Sequence, residues 1–201
     1  ITAFAPVAIP LFDAVQHQTD GQLFLQSGRA ILVLDANNDP AFIDVYNFDD
    51  IDSDIAGIAI GPNNNIHVAF ENGEFKLISE ADGTLSDGLP DTGFDITLFD
   101  VLSSGIYVAT SDGTLLTLDA TNTWSQVVSS SSSNWPSPTE VFDMHEEGGI
   151  LYAGTDAGVG RYDLNANQPL SVWSSANVLH SDEVTSIETA GNQLLFASED
   201  N

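Results

Sequence analysis

The sequence is organised around one segment that occurs five times, each time as an apolar strand, a tight polar turn and a second strand. The copies are GQLFLQSGRAILVLD (21–35), NIHVAFENGEFKLIS (65–79), GIYVATSDGTLLTLD (105–119), GILYAGTDAGVGRYD (149–163) and the shorter QLLFASEDN (193–201). The first four align without a gap at offsets of 44, 40 and 44 residues. A period of this length is typical of propellers, solenoids and other arrays of one supersecondary unit.

Each copy has the sequence of a β-hairpin. The first strand alternates or is continuously apolar, as in Ile106–Ala109, and the turn is Asn72-Gly73, Asp112-Gly113 or a related sequence. These residue pairs tolerate the positive φ that a two-residue hairpin turn requires. The repeat therefore predicts one hairpin in every copy.

Further strands are predicted on both sides of each hairpin. Upstream lie three closely similar segments, Leu11–Val15, Leu98–Leu102 and Val141–His145, and downstream lies a more polar strand such as Ala41–Tyr46. Four short antiparallel strands in roughly 40 residues describe the blade of a β-propeller. We therefore predict an all-β propeller built from four-stranded antiparallel blades.

The blade count leaves two architectures open. A single domain over residues 1–201 contains four complete units, at about 11–49, 50–93, 94–138 and 139–180, and a partial fifth at 181–201. A closing strand from residues 1–10, at Thr2–Ile9, would complete a closed five-bladed ring by pairing the two ends of the chain. The alternative is a portion of a larger propeller, whose open blade edges would pair with a partner strand.

Two segments of the later repeats carry a family resemblance. LYAGTDAGVGRYD (151–163) and NVLHSDEVTSI (177–187) resemble the two-component regulator propeller repeat, with Leu179-His180 where that repeat usually has Leu-Pro. The resemblance extends over about residues 50–201. It implies a β-propeller, and members of that family often form sensor ectodomains.

The charge of the chain limits its partners. Three Lys and Arg residues stand against 30 Asp and Glu residues, which gives a formal net charge of −27. Nucleic acids and anionic membrane surfaces would be repelled, and the longest apolar runs are too short for direct membrane insertion. Acids scattered through the turns favour a solvated surface in a marine or halophilic setting, where salt screens the repulsion.

The candidate binding residues lie in the turns and in the links between blades, which emerge on one face of a propeller. They are Asp49, Asp50, Asp52, Asp54, Asp112, Trp135, Asp156, His180 and Asp182. Carboxylate oxygens are the ligands that Ca²⁺ prefers, so Asp50, Asp52 and Asp54 are candidate calcium ligands. The alternative is that these acids only solvate the surface. In the Ser-rich link, Trp135 is expected to be exposed and to stack on a sugar or partner, or else to pack against a neighbouring blade.

Three further carboxylates are expected on the innermost strands. Asp13, Asp100 and Asp143 occupy the same place in their similar segments and could form a partial carboxylate ring in the central channel. The alternative is that each pairs with backbone amides of the neighbouring blade, because a buried carboxylate is costly without partners.

These observations favour a noncatalytic binding or scaffolding module of a secreted or cell-surface protein. It would recognise a protein or glycan partner through the acidic face, with Ca²⁺ as a possible ion. Two alternatives stay open: a glycan hydrolase that uses the channel carboxylates, and a structural subunit that self-associates through its blade edges.

Overall fold

A computed structural model describes residues 13–16, 21–35, 41–61, 64–79, 83–191 and 193–198. These residues form strands and connecting turns, without a helix. The strands are β1 (Asp13–Gln16), β2 (Gln22–Ser27), β3 (Ala30–Asp35), β4 (Ala41–Asn47), β5 (Ile55–Ile60), β6 (Ile66–Phe70), β7 (Phe75–Ile78), β8 (Leu85–Asp87), β9 (Ile96–Leu102), β10 (Gly105–Thr110), β11 (Leu115–Leu118), β12 (Trp124–Val128), β13 (Val141–Glu147), β14 (Ile150–Thr155), β15 (Gly158–Asp163), β16 (Gln168–Pro169), β17 (Val184–Ala190) and β18 (Gln193–Ser198).

The strands form antiparallel meanders that match the predicted blades. Strands β1–β4, β5–β8, β9–β12 and β13–β16 make four four-stranded sheets, which we call blades 1 to 4, and β17–β18 begin blade 5. The innermost strands β1, β5, β9, β13 and β17 contact one another in succession. The all-β prediction of four complete blades and a partial fifth is confirmed. The predicted closing strand Thr2–Ile9 lies outside the described residues.

The hydrophobic core is divided into four layers, each between two consecutive blades. Blades 1 and 2 share a cluster that contains Phe48 and Phe70, whose rings meet edge to face at 5.3 Å. Blades 3 and 4 share another that contains Trp135 and Met144. Apolar residues on both faces of the central strands supply these layers, because a blade inside the array is covered on both sides. This double burial explains the continuously apolar second strands of the repeat.

A β-bulge occurs near the start of the innermost strand in blades 2 to 5. In blade 2, Ile55 and Gly57 pair with the adjacent residues Phe70 and Ala69, so Ala56 is the extra residue. Thr97, Phe142 and Thr185 are the extra residues in the later blades. A bulge interrupts the alternation of side chains between the two faces of the sheet and changes the direction of one side chain. In blades 2, 3 and 4, the bulge residue and at least one of its neighbours in sequence line the central cavity.

Turn length corrects the gapless alignment of the repeats. The hairpin of blade 4 has two turn residues between the paired Thr155 and Gly158, whereas that of blade 3 has three between Thr110 and Thr114, which are joined by a backbone hydrogen bond. Blades 1 and 2 differ in the same way. The turns that contain Asn72-Gly73 and Asp112-Gly113 therefore have three residues, not the two that the sequence predicted, and it is the glycine of each pair that takes the positive φ, 90° at Gly73 and 78° at Gly113.

The strand register shows that two of the predicted channel carboxylates are not equivalent. Asp143 pairs with Gly154, the last residue but one of its second strand, and Asp13 holds the same place opposite Gln26. The corresponding position in blade 3 is Leu98, and Asp100 lies two residues further along β9. The similar sequences around Asp100 and Asp143 predicted that the two residues are equivalent, and the strand register shows that they are not.

Candidate functional site

A cavity lies where the innermost strands of blades 1 to 4 converge. Its volume is about 830 Å³. Polar and charged lining residues are Gln26, Arg29, Asp54, Glu71, Thr97, Asp100, Glu140 and Asp143. Apolar lining residues are Val15, Ile55, Ala56, Ile58, Leu98, Phe99, Val141 and Phe142. This concave, mixed lining and this volume are typical of a small-ligand site.

Four carboxylates, which we call the rim carboxylates, hold equivalent places before the innermost strands, and two of them, Asp54 and Glu140, line the cavity. They are Asp54, Asp95, Glu140 and Glu183, each immediately before the buried residue that opens β5, β9, β13 or β17. Backbone bonds hold three of them in equivalent places, because the carbonyl oxygens of Asp54, Asp95 and Glu140 accept N–H groups from the hairpin turns of their own blades. Sequence reasoning missed Asp95, Glu140 and Glu183 as a set, although an acid before the first apolar residue of each inner strand was visible.

Arg29 is the basic residue of the cavity. Its Nε donates to Asp54 Oδ1 at 2.8 Å and its Nη1 donates to the carbonyl of Ile51 at 3.1 Å. The hydrogen bond to Asp54 raises the pKa of Arg29 above its usual value. Nη1 also lies 3.9 Å from Asp52. The pair joins the turn of blade 1 to the link that enters blade 2, so this guanidinium is already neutralised by the chain.

Asp143 joins blade 4 to blade 5. Its Oδ2 accepts the backbone N–H of Ile187 on β17 at 2.5 Å. Burial raises the pKa of the Asp143 carboxyl, and the N–H groups of Ile187 and Met144 partly oppose that rise. This is the amide-paired arrangement that was weighed against a free carboxylate ring. Asp143 therefore has a structural partner as well as a place on the cavity wall.

The other two predicted channel residues have different outcomes. Asp100 lines the cavity, and its Oδ1 accepts the backbone N–H of the adjacent Val101 at 2.7 Å. Asp13 begins β1, but its side chain lies outside the described part of the structure. The cavity thus brings Asp100 and Asp143 together with Asp54, and it adds Glu71 and Glu140.

Three of the predicted face residues hold turns and links in place. Asp112 accepts from the Thr110 hydroxyl at 2.6 Å, and this bond lowers the pKa of Asp112. Asp156 accepts from the backbone N–H and the hydroxyl of Thr139. Asp182 accepts the N–H of Ser175 at 2.5 Å. The Asp112 contact is the local kind of hydrogen bond that makes Asp common in turns, whereas Asp156 and Asp182 bond residues 17 and 7 positions away.

The predicted calcium triad does not assemble. Asp52 and Asp54 face Arg29, while Asp50 is exposed in the preceding turn. Within the described ranges, no three His, Asp or Glu side chains are arranged to hold a metal ion. Asp49 instead accepts from the Asn47 amide at 2.8 Å. His180 is exposed in the link before blade 5.

Of the two possibilities for Trp135, the structure shows packing against a neighbouring blade and not an exposed aromatic. Only 4% of its surface is accessible, and the ring belongs to the core between blades 3 and 4. It covers Gly160 so closely that a Cβ at that position would lie 2.6 Å from the indole Cη2. The Ser-rich link therefore folds its Trp inward, because a glycine on β15 leaves room for the indole. Trp135 is not available to stack on a ligand.

Comparison with solved structures places this arrangement among known folds. The chain superposes on the extracellular domain of a hybrid two component system from B. thetaiotaomicron with a TM-score of 0.67 and 15% identity, covering 94% of this chain and 25% of that one. The fold is a β-propeller. A computationally designed protein, Ika4, matches with a TM-score of 0.55 and 17% identity over 76% of this chain and 90% of that one.

The propeller resemblance inferred from the repeat is thus confirmed at the level of the fold. The chain spans about a quarter of the length of the two component domain that it matches. No family model matches the sequence, and no curated protein does so. In the part of the chain that the structure describes, no helix has the length and apolar character to cross a membrane.

Proposed function

We propose that this propeller is a noncatalytic binding module of a secreted or cell-surface protein and that it recognises a positively charged group at the channel entrance. The similarity to an extracellular domain of a two component system supports a sensing or binding role outside the cell. Propellers serve many functions, so the cavity carries the specific part of the proposal.

The charge of the cavity lining is the observation that carries this proposal. Five carboxylates line the cavity, from Asp54, Glu71, Asp100, Glu140 and Asp143, against one guanidinium. That guanidinium is paired with Asp54. A concave site lined by one sign of charge concentrates ligands of the opposite sign, and the low-dielectric walls strengthen the attraction.

The same lining favours one of the expected partner classes. Acidic glycans would be repelled, whereas a protein segment that carries basic side chains would be attracted. Ca²⁺ is the inorganic cation that the lining could attract, and binding measurements with and without Ca²⁺ separate the two ligands. The amide-bonded Asp143 supports a scaffolding role for that residue over a catalytic one.

A labelled hexalysine peptide provides the test. Fluorescence polarisation should show salt-dependent binding, and the double variant Glu71→Gln/Glu140→Gln should weaken it about five- to tenfold, because two exposed charges of the cavity are removed. The matched control, Asp44→Asn/Glu147→Gln, removes the same charge at exposed positions outside the cavity. Equal weakening by both double variants would show that only the net charge matters, and the proposal would fail.

Blade-edge assembly is a second candidate, supported by the fifth blade. Among the described residues, β18 pairs with β17 alone. Its side chain Leu195 is 51% exposed. An unpaired strand edge beside an exposed apolar side chain favours pairing with another strand. Light scattering over a range of protein concentrations tests this: growth in mass that Leu195→Lys suppresses would support assembly, and a constant monomer mass would exclude it.

A further inference from the structure

The bulge of blade 4 places an aromatic side chain on the wall of the large cavity. Phe142 is the extra residue between Val141 and Asp143, and all three line the cavity. The corresponding bulge residues are Ala56 in blade 2, Thr97 in blade 3 and Thr185 in blade 5. Blade 4 is thus the one described blade whose bulge presents an aromatic ring.

Phe142 lies outside the core clusters that the described residues form between the blades. It is half-buried, and it belongs to none of the four core clusters formed by the described residues. Its neighbours in sequence, Val141 and Met144, are both buried in the core between blades 3 and 4. Removing apolar surface from water is favourable in free energy. A ligand that covers the Phe142 ring would therefore bind more tightly for doing so.

The surroundings of Phe142 combine apolar and negative groups. Leu98 and Val15 line the same cavity and provide aliphatic surface. Glu140 and Asp143 also line it, and they are two residues and one residue from Phe142 in the sequence. An aromatic face attracts cations, and the attraction is stronger where water is excluded. Carboxylates attract the same cations. Aliphatic surface, in contrast, favours an uncharged chain.

We infer that the ligand of this site is an alkylammonium group, a positively charged amine on an aliphatic chain, and that Phe142 is its specificity-determining residue. This inference rests on the proposed function and names the chemistry of its ligand. Such a group occurs in the lysine side chain of a protein partner and in free aliphatic amines. Both sources present a cation to the carboxylates and methylene groups to Phe142 and Leu98.

Isothermal titration of the full chain tests the inference with three probes. They are hexylammonium, a blocked pentapeptide with one central lysine, and an ether amine of equal length in which oxygens interrupt the aliphatic chain. Hexylammonium or the lysine peptide should bind more tightly than the ether amine. Phe142→Ser should weaken that binding about tenfold, because a desolvated cation–π contact and apolar cover are lost.

Controls separate loss of binding from loss of fold. Phe94→Ser makes the same substitution at a ring that is 59% exposed and does not line this cavity, and it should leave binding unchanged. Phe142→Leu keeps apolar surface but removes the aromatic face, so binding should be intermediate. Thermal unfolding measured by circular dichroism should show that both Phe142 variants fold.

Each outcome decides between the two proposals. Binding of the peptide alone assigns the site to a protein partner, and binding of hexylammonium alone assigns it to a free amine; both support the inference. Binding that Glu71→Gln/Glu140→Gln weakens but Phe142→Ser leaves intact overturns the inference and keeps the proposed function. Absence of binding by all cationic probes overturns both.

Discussion

The contact between Trp135 and Gly160 offers the sharpest test of how the blades pack. A Cβ at Gly160 would lie 2.6 Å from Cη2 and 2.7 Å from Cζ3 of the indole. The ring is buried between blades 3 and 4 and cannot move outward without opening that core. Gly160→Ala should therefore force a shift of the indole or of strand β15.

The expected loss of stability follows from two opposing effects. Replacing a strand glycine by alanine usually stabilises by roughly 0.5–1 kcal/mol, because glycine loses more backbone entropy on folding. Overpacking a closed core costs typically about 1–3 kcal/mol. The overpacking effect is the larger, so Gly160→Ala should lower the free energy of unfolding by up to about 2 kcal/mol. At roughly 2–4 °C per kcal/mol for a chain of this size, the melting temperature should fall by several degrees.

A double-mutant cycle isolates the contact. Trp135→Phe removes the ring atoms that crowd Gly160 and also a buried indole N–H that has no hydrogen-bond partner in the described structure. In that background Gly160→Ala should cost less, or should stabilise, which gives a favourable coupling energy between the two substitutions. The measurement is urea unfolding of the four proteins. A Gly160→Ala variant that is as stable as the parent in the presence of Trp135 would refute the packing argument.

Three further predictions concern titration and the cavity. Burial lowers the pKa of His67, so the parent should lose stability relative to His67→Leu as pH falls below about 6.5, which urea titrations of both proteins at pH 7 and pH 5 would show. Burial raises the pKa of Asp143, so the parent should gain stability relative to Asp143→Asn as pH falls from 7 toward 4. A difference in unfolding free energy between the two proteins that does not change with pH would contradict the raised pKa. Arg29→Gln should strengthen alkylammonium binding several-fold in calorimetry, because it removes the positive charge from the cavity and frees Asp54; unchanged affinity would show that Asp54 does not take part.

The hairpins were predictable because their signals are local. Alternating or continuous apolar residues define the strands, and Asn72-Gly73 or Asp112-Gly113 define the turns, within a few residues of each other. The period then implied blades, since one hairpin cannot bury both of its faces without neighbours. No distant contact had to be known for either step.

The candidate site was predictable only in part. The innermost strands were recognised, and Asp100 and Asp143 do line the cavity. The equivalence of these two residues was wrong, because Asp143 is the third residue of β13 and pairs with Gly154, whereas Asp100 is the fifth residue of β9 and pairs with Tyr107, so the same local motif stands at two different places in the blade. The partnership of Arg29 with Asp54 joins residues that are 25 positions apart, and neither lies in a motif that indicates the other.

The sequence by itself determined the repeat, the strands, the turns and the acidic surface, since each of these depends on residue type and short-range spacing. The tertiary structure decided which acidic side chains meet at the channel, which of them accept hydrogen bonds in turns and links, and where the aromatic rings lie. Trp135 and Phe142 show the difference. Both are aromatic residues near the start of blade 4. Trp135 packs in the core because Gly160 leaves room for its indole, whereas Phe142 is the extra residue of a β-bulge and lines the cavity. Those outcomes depend on the space left by neighbouring strands, which no local pattern specifies.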